Sequence, residues 1–280
     1  MARGRPNLVG LGVSLGAAGA AGALGAAGLI ADRIRRREDA QLPEYSSLIE
    51  APSSELTVIA DDGVTLYVAI DEATGPTKTA AGHPKPTVVL SHGYCLTSEC
   101  WVLQRRALRR AGYRVVTWDQ RGHGRSGMGP KVGYHIDQLG RDLYAVLQAA
   151  APTGDLALIG HSMGGMTIMA LAESYPDVIR DRTIAFGAIA TSPGSLPLAN
   201  GGFVAATGKQ VLERLGPSVF TGLSKRPELL GTLLKANRDL EEFLVERYSF
   251  ASPVPRSVVR LTARMLMGTD LAVMSDFVPT

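Results

Sequence analysis

The string Gly160-His161-Ser162-Met163-Gly164 carries the strongest chemical signal in the sequence, a G-x-S-x-G pattern. A serine hydroxyl is a useful nucleophile only where its oxygen is exposed and the anion formed by its attack can be stabilised. Flanking glycines permit the tight strand-to-helix turn that exposes it. The N–H of Met163, at the start of the following helix, supplies a donor where the helix dipole favours negative charge. The bare pattern is common, so context decides. Residues 156–159 supply an apolar strand before the turn, Gly164 and Gly165 permit close packing, and residues 166–171 continue as a helix. A second oxyanion donor is expected from the loop after an earlier strand, Ser91-His92-Gly93-Tyr94, with the backbone N–H of Tyr94 as the candidate. The candidate site is therefore Ser162 as nucleophile with the N–H groups of Tyr94 and Met163 as its oxyanion hole.

Two further patterns compete for attention. His92 could serve as a base on composition alone, but a histidine before a glycine at a strand end more often shapes the loop by hydrogen bonding. Gly122-His123-Gly124-Arg125-Ser126-Gly127 matches the dinucleotide fingerprint G-x-G-x-x-G. A pyrophosphate loop must open directly into a helix, whereas Met128-Gly129-Pro130 and Gly133 intervene here. Residues 119–124 are read instead as a loop stiffened by side-chain hydrogen bonds and ion pairing.

The elements that must position these residues follow from periodicity. Residues 56–59 and 65–70 flank Asp61-Asp62-Gly63 and read as a hairpin. Near-continuous apolar runs at 87–90, 113–118, 156–159 and 183–190 alternate with helical patterns at 98–111, 137–149 and 163–174. That alternation predicts a parallel sheet covered on both faces, with ligands at the carboxyl ends of its strands. After Thr191 the pattern turns helical, at 208–215, 227–248 and 255–277, as a lid over those strand ends would.

The chain has 280 residues, 45% hydrophobic and 20% charged, which excludes wholesale disorder, collagen and coiled coil. Its net charge of +3 sits in the first 39 residues, where six arginines face three acids. A neutral body offers no basic face for nucleic acid. Cys95 and Cys100 are too few for a disulfide framework and are read as free thiols. Residues 8–31 carry no charge over 24 positions, fifteen of them Ala or Gly, and four arginines follow the segment. They read as an uncleaved membrane anchor, with the body on the cytoplasmic side. The expected organisation is an anchor at 1–40, a linker at 41–54, a core at 55–194 and a helical cap at 195–280.

Taken in order, the His92-Gly93-Tyr94 loop, the 118–126 segment WDQRGHGRS, the Gly160–Gly165 elbow and the later helices resemble the α/β-hydrolase superfamily. The resemblance implies an α/β-hydrolase-type, mostly parallel sheet with flanking helices and a helical cap. It also implies ester or thioester hydrolysis through Ser162; the apolar residues of the later helices favour a small hydrophobic acyl substrate, and the mechanism calls for no cofactor and no metal. In that family the chain order is nucleophile, then Asp or Glu, then His. Here all five histidines, His83, His92, His123, His135 and His161, lie at or before the elbow. Asp177, Asp181, Asp239, Asp270 and Asp276 follow it, but none sits after a strand signal. Two expectations result: a chain missing the C-terminal strands that bear the acid and base, or a noncatalytic, membrane-anchored binding protein that keeps the pocket.

Overall fold

Short runs rich in Val, Ile and Leu, bounded by Gly and Pro, set the strands. The computed structural model describes residues 48–193, 242, 245–247 and 249–277. It contains β1 (Ser54–Ile59), β2 (Thr65–Asp71), β3 (Thr87–Ser91), β4 (Val115–Trp118), β5 (Leu156–His161) and β6 (Thr183–Ile189). They form a mostly parallel sheet of order β1-β2-β4-β3-β5-β6. β1 and β2 pair antiparallel, as does β2 with β4, while β4, β3, β5 and β6 run parallel. The first hairpin closes through Gly63 at φ 88°, a left-handed conformation open to glycine without penalty, with Gly63 N–H donating to the Ala60 carbonyl at 3.0 Å.

The helices are α1 (Val102–Arg110), α2 (Ile136–Ala150), α3 (Met163–Ser174), α4 (Pro176–Arg182), α5 (Arg256–Gly268) and α6 (Leu271–Phe277). Successive strand residues point to opposite faces, which is why the central strands are apolar throughout. Val89, Val116, Trp118, Leu156 and Leu158 pack on one face with Leu143, Val146 and Leu147 of α2 and Ile168 and Leu171 of α3. Val88, Leu90, Val115 and Ala157 pack on the other with Trp101 and Leu108. Gly140 of α2 lets that helix touch α3, since a Cβ there would lie 2.8 Å from the Ala170 carbonyl carbon. β3 lies between β4 and β5, so the chain leaves it in opposite directions. The loops after β3 and β5 therefore diverge and open a crevice at their carboxyl ends.

Several sequence expectations shift. Residues 98–101 form a 3-10 turn capped by Thr97 Oγ1, and α1 starts only at Val102. α4 was not foreseen, because Pro176 at its first position breaks the helical periodicity after α3. β6 was expected to be covered on both faces, yet Ile184, Phe186 and Ile189 are 61%, 50% and 46% exposed. It is the last strand of the described sheet and has a neighbour on one side only. Cys95 and Cys100 are free thiols, and burial pushes Cys95 up to about 12.

The membrane assignment needs correction. Among the described residues no helix is long and apolar enough to cross a membrane. The longest of them, α2, has 15 residues, about 22 Å at 1.5 Å per residue against about 30 Å of hydrocarbon. The 8–31 segment lies outside the described residues, as do the expected helices at 208–215 and most of 227–248. The charge-free length of 8–31 comes largely from Ala and Gly, side chains with little apolar surface to give to lipid.

Candidate active site

Ser162 sits at the carboxyl end of β5 with φ 51° and ψ −120°, a conformation an L-residue holds only when its surroundings impose it. The glycines around it show how. A Cβ at Gly160 would collide with the Gly164 carbonyl and the Gly165 nitrogen, one at Gly164 would meet the Ser91 and His92 carbonyls, and one at Gly165 would meet Thr191. Strand, turn and helix can therefore close up only with glycine at these positions. Ser162 N–H donates to the Ile189 carbonyl of β6 at 2.9 Å, and the Ser162 carbonyl receives Gly165 N–H at 2.9 Å to begin α3. The side chain is left partly exposed, while Met163 behind it is buried. Met163 N–H is in the first turn of α3, where backbone donors have no partner within the helix.

The loop after β3 meets this turn. Gly164 lies against the backbone of Ser91 and His92, and Tyr94 packs in one apolar cluster with Met163, Leu139, Tyr134, Val273 and Phe277. The structure thus brings together the three residues singled out in the sequence. It adds α6, whose Val273 and Phe277 complete the cluster and whose Met274 carbonyl accepts the Tyr94 hydroxyl at 2.6 Å. Sequence reasoning missed that contact, because it spans 180 positions.

The histidines take structural posts. His92 is fully buried, and its Nε2 accepts the Gln120 backbone N–H at 2.9 Å. Its proton must then be on Nδ1, which donates to the Gly93 carbonyl at 2.7 Å. His123 repeats the arrangement: Nε2 accepts Cys95 N–H at 3.2 Å and Nδ1–H donates to the Arg121 carbonyl at 3.0 Å. Burial keeps both neutral, pushing His92 down to about 4 and His123 down to about 3. With both nitrogens committed, neither is placed to take a proton from Ser162. His161, the next candidate, has its ring beside Gly93, where a Cβ would lie 2.7 Å from Nδ1, and burial lowers its pKa. His135 caps α2, its Nδ1 accepting Gln138 N–H at 3.3 Å, and His83 is exposed in the 73–86 loop.

The 119–127 loop is stiff, as expected. Asp119 Oδ1 accepts Ser98 N–H at 2.7 Å and Oδ2 accepts Arg125 N–H at 2.8 Å, while burial raises its pKa. Gly124, at φ 54°, leaves room for that carboxylate. Arg121, fully buried, holds Asp142 through two bonds of 2.7 Å and Asp62 through bonds of 2.6 and 3.1 Å. The loop reaches a 3-10 turn at Lys131–Gly133 and then α2 at Ile136, too late to place a helix N-terminus on a pyrophosphate. A cavity of about 400 Å³ bordered by Tyr67, Ser98, Arg105, Asp119 and Arg125 does not include Ser162.

A strained serine at the end of a parallel strand, backed by a helix N-terminus and facing the loop of a neighbouring strand, defines the α/β-hydrolase class. The family described as serine aminopeptidase, S33, matches residues 82–244, more than half of the chain, and the chain belongs to it. The mouse sn-1-specific diacylglycerol lipase ABHD11 is 34% identical over 123 residues, 43% of this chain and 38% of that protein. Esterase PIR7B of Oryza sativa subsp. japonica is 35% identical over 102 residues, 34% of this chain and 36% of that protein. The chain thus spans well under half the length of these curated relatives. In fold it is similar to the esterase RhEst1 from Rhodococcus, with TM-score 0.56 and 20% identity, over 80% of this chain and 72% of that one.

Proposed function

We propose that the protein hydrolyses ester or thioester bonds of small hydrophobic acyl substrates through Ser162. The observation that carries this reading is the backbone of Ser162, held at φ 51° and ψ −120° among three close-packed glycines, with the residue left partly exposed at the end of β5. Esterase and lipase names among the relatives agree with it. In this mechanism Ser162 Oγ bonds to the substrate carbonyl carbon and gives up its proton to a base. The carbonyl oxygen, now an anion, accepts N–H groups of Met163 and Tyr94. Collapse expels the alcohol or thiol, which takes that proton, and water then releases the acid from acyl-Ser162. In this reading α6 belongs to the cap, and it packs beside Tyr94 and Met163.

One observation favours a second reading, a noncatalytic binding protein: His92 and His123, the buried histidines of the loops beside the elbow, have both ring nitrogens committed elsewhere. A fluorophosphonate probe and a short p-nitrophenyl ester applied to the full gene product separate the two. Hydrolysis reads as labelling at Ser162 and ester turnover, both reduced by several orders of magnitude in Ser162→Ala, as for loss of a catalytic nucleophile. No labelling, with saturable binding of the ester, sinks the hydrolase reading and leaves the binding protein.

A further inference from the structure

Gln120 has no exposed surface, and both ends of its side chain are engaged. Its Nε2 donates to the His92 carbonyl at 2.6 Å, and its Oε1 accepts Thr167 Oγ1 at 2.8 Å. Chemistry fixes the direction of each bond. The His92 carbonyl can only accept, so the amide nitrogen faces it and the amide oxygen faces Thr167. Thr167 has a single hydroxyl proton, which therefore goes to Gln120 rather than to the Met163 carbonyl 2.9 Å away.

The bridge joins the two segments that carry the oxyanion donors. His92 belongs to the loop that presents Tyr94 N–H, and Thr167 lies one turn beyond Met163 on α3. The backbones already touch at Gly164, where a Cβ would lie 2.6 Å from the His92 carbonyl oxygen. Dispersion packing could hold them together but has no preferred direction, whereas a buried amide with both ends bonded fixes distance and angle together. Apolar side chains at 120 and 167 would remove the cost of desolvating an amide and a hydroxyl. We infer that Gln120 is a positioning residue that sets the spacing between the Tyr94 and Met163 N–H groups. The inference rests on Ser162 being the acyl-accepting nucleophile.

The test is the kinetics of fluorophosphonate capture by the full gene product. In that step the Ser162 Oγ–P bond forms, the P–F bond breaks, fluoride leaves, and the hydroxyl proton passes to a base or to water. Varying probe concentration separates reversible binding from the maximal rate of the covalent step. Gln120→Met keeps the volume and removes the bridge; Thr167→Val removes only its far bond. Each is expected to lower the maximal rate about tenfold, less than the loss of a whole oxyanion donor, with reversible binding unchanged. The double variant should fall no further than Gln120→Met, which already removes both bonds. Thr167→Ser, which keeps the hydroxyl, should react as wild type. Should Gln120→Met fail to fold, Thr167→Val and Thr167→Ser carry the comparison. An unchanged maximal rate in folded Thr167→Val, or a Thr167→Ser as slow as Thr167→Val, overturns the inference alone. A wild-type protein that is not labelled at Ser162 overturns the nucleophile reading and this inference with it.

Discussion

β5 and β6 lie side by side, run parallel and read alike in sequence, LALIGH and TIAFGAI, yet they live in different surroundings. β5 is paired on both edges and covered on both faces, with Leu156 and Leu158 fully buried. β6 has a described neighbour on one edge, and its apolar side chains are largely exposed. The inner edge of β6 nevertheless serves the site, because its Ile189 carbonyl holds the Ser162 N–H. An apolar run without charge therefore specifies a strand; whether it is core depends on what the rest of the chain lays against it.

Paired substitutions sharpen that contrast. The largest effect is expected at the elbow end of β5: Gly160→Ala pushes a methyl into the backbone of Gly164 and Gly165, for a loss of about 4 kcal/mol or more in urea unfolding. Gly187→Ala in β6 meets only the Ile159 side chain, at 3.2 Å, and should cost under about 1 kcal/mol. Equal losses in the two variants would erase the distinction between the strands. Next in size, Leu158→Ala should destabilise by about 3 kcal/mol through its cavity, and half-exposed Phe186→Ala by much less.

Acid probes the loops beside β5. His92 and His123 have folded-state pKa values depressed from 6.5 to about 4 and about 3. The unfolded chain takes up their protons below 6.5 and the folded one does not. Stability is thus full above that pH and declines as pH falls toward 4, by about 1.4 kcal/mol per pH unit for each histidine. Urea midpoints at pH 7, 6 and 5 measure the slope, and a flat profile in the wild type would show that the two rings are not held neutral. The smallest effect belongs to β6: its exposed apolar side chains beside an edge with no described neighbour predict self-association in light scattering, and Phe186→Lys should reduce it while changing stability by no more than about 0.5 kcal/mol, since a lysine on an edge strand opposes strand pairing. Unchanged association would mean that this edge is not what the protein associates through.

Much of the site could be read before the fold was known. The elbow is local: glycine, serine and the strand and helix around them lie within about a dozen positions, and turn chemistry acts at that range. The hairpin at Asp61-Asp62-Gly63 and the late onset of α2 after Gly122–Gly127 were legible for the same reason. What stayed hidden is contact across the topology. Gln120 reaches His92 over 28 positions and Thr167 over 47, and nothing in the spacing of these residues announces a bridge. Arg121 was legible as part of a stiff loop, but its partners Asp62 and Asp142, on either side of it in sequence, were not.

Ser162, Met163 and Tyr94 as candidates, the alternation of strand and helix, and the rejection of a pyrophosphate loop came from the sequence by itself, because backbone propensity, hydrophobic period and turn chemistry depend on near neighbours. Tertiary structure decided the rest. It assigned the protons of His92 and His123 by the donors and acceptors around their rings, laid α6 against Tyr94, joined the loop after β3 to α3 through Gln120, and left β6 exposed where β5 is buried. Each depends on which distant segments share a sheet edge or a buried face, a matter of strand order and register rather than of any stretch of residues.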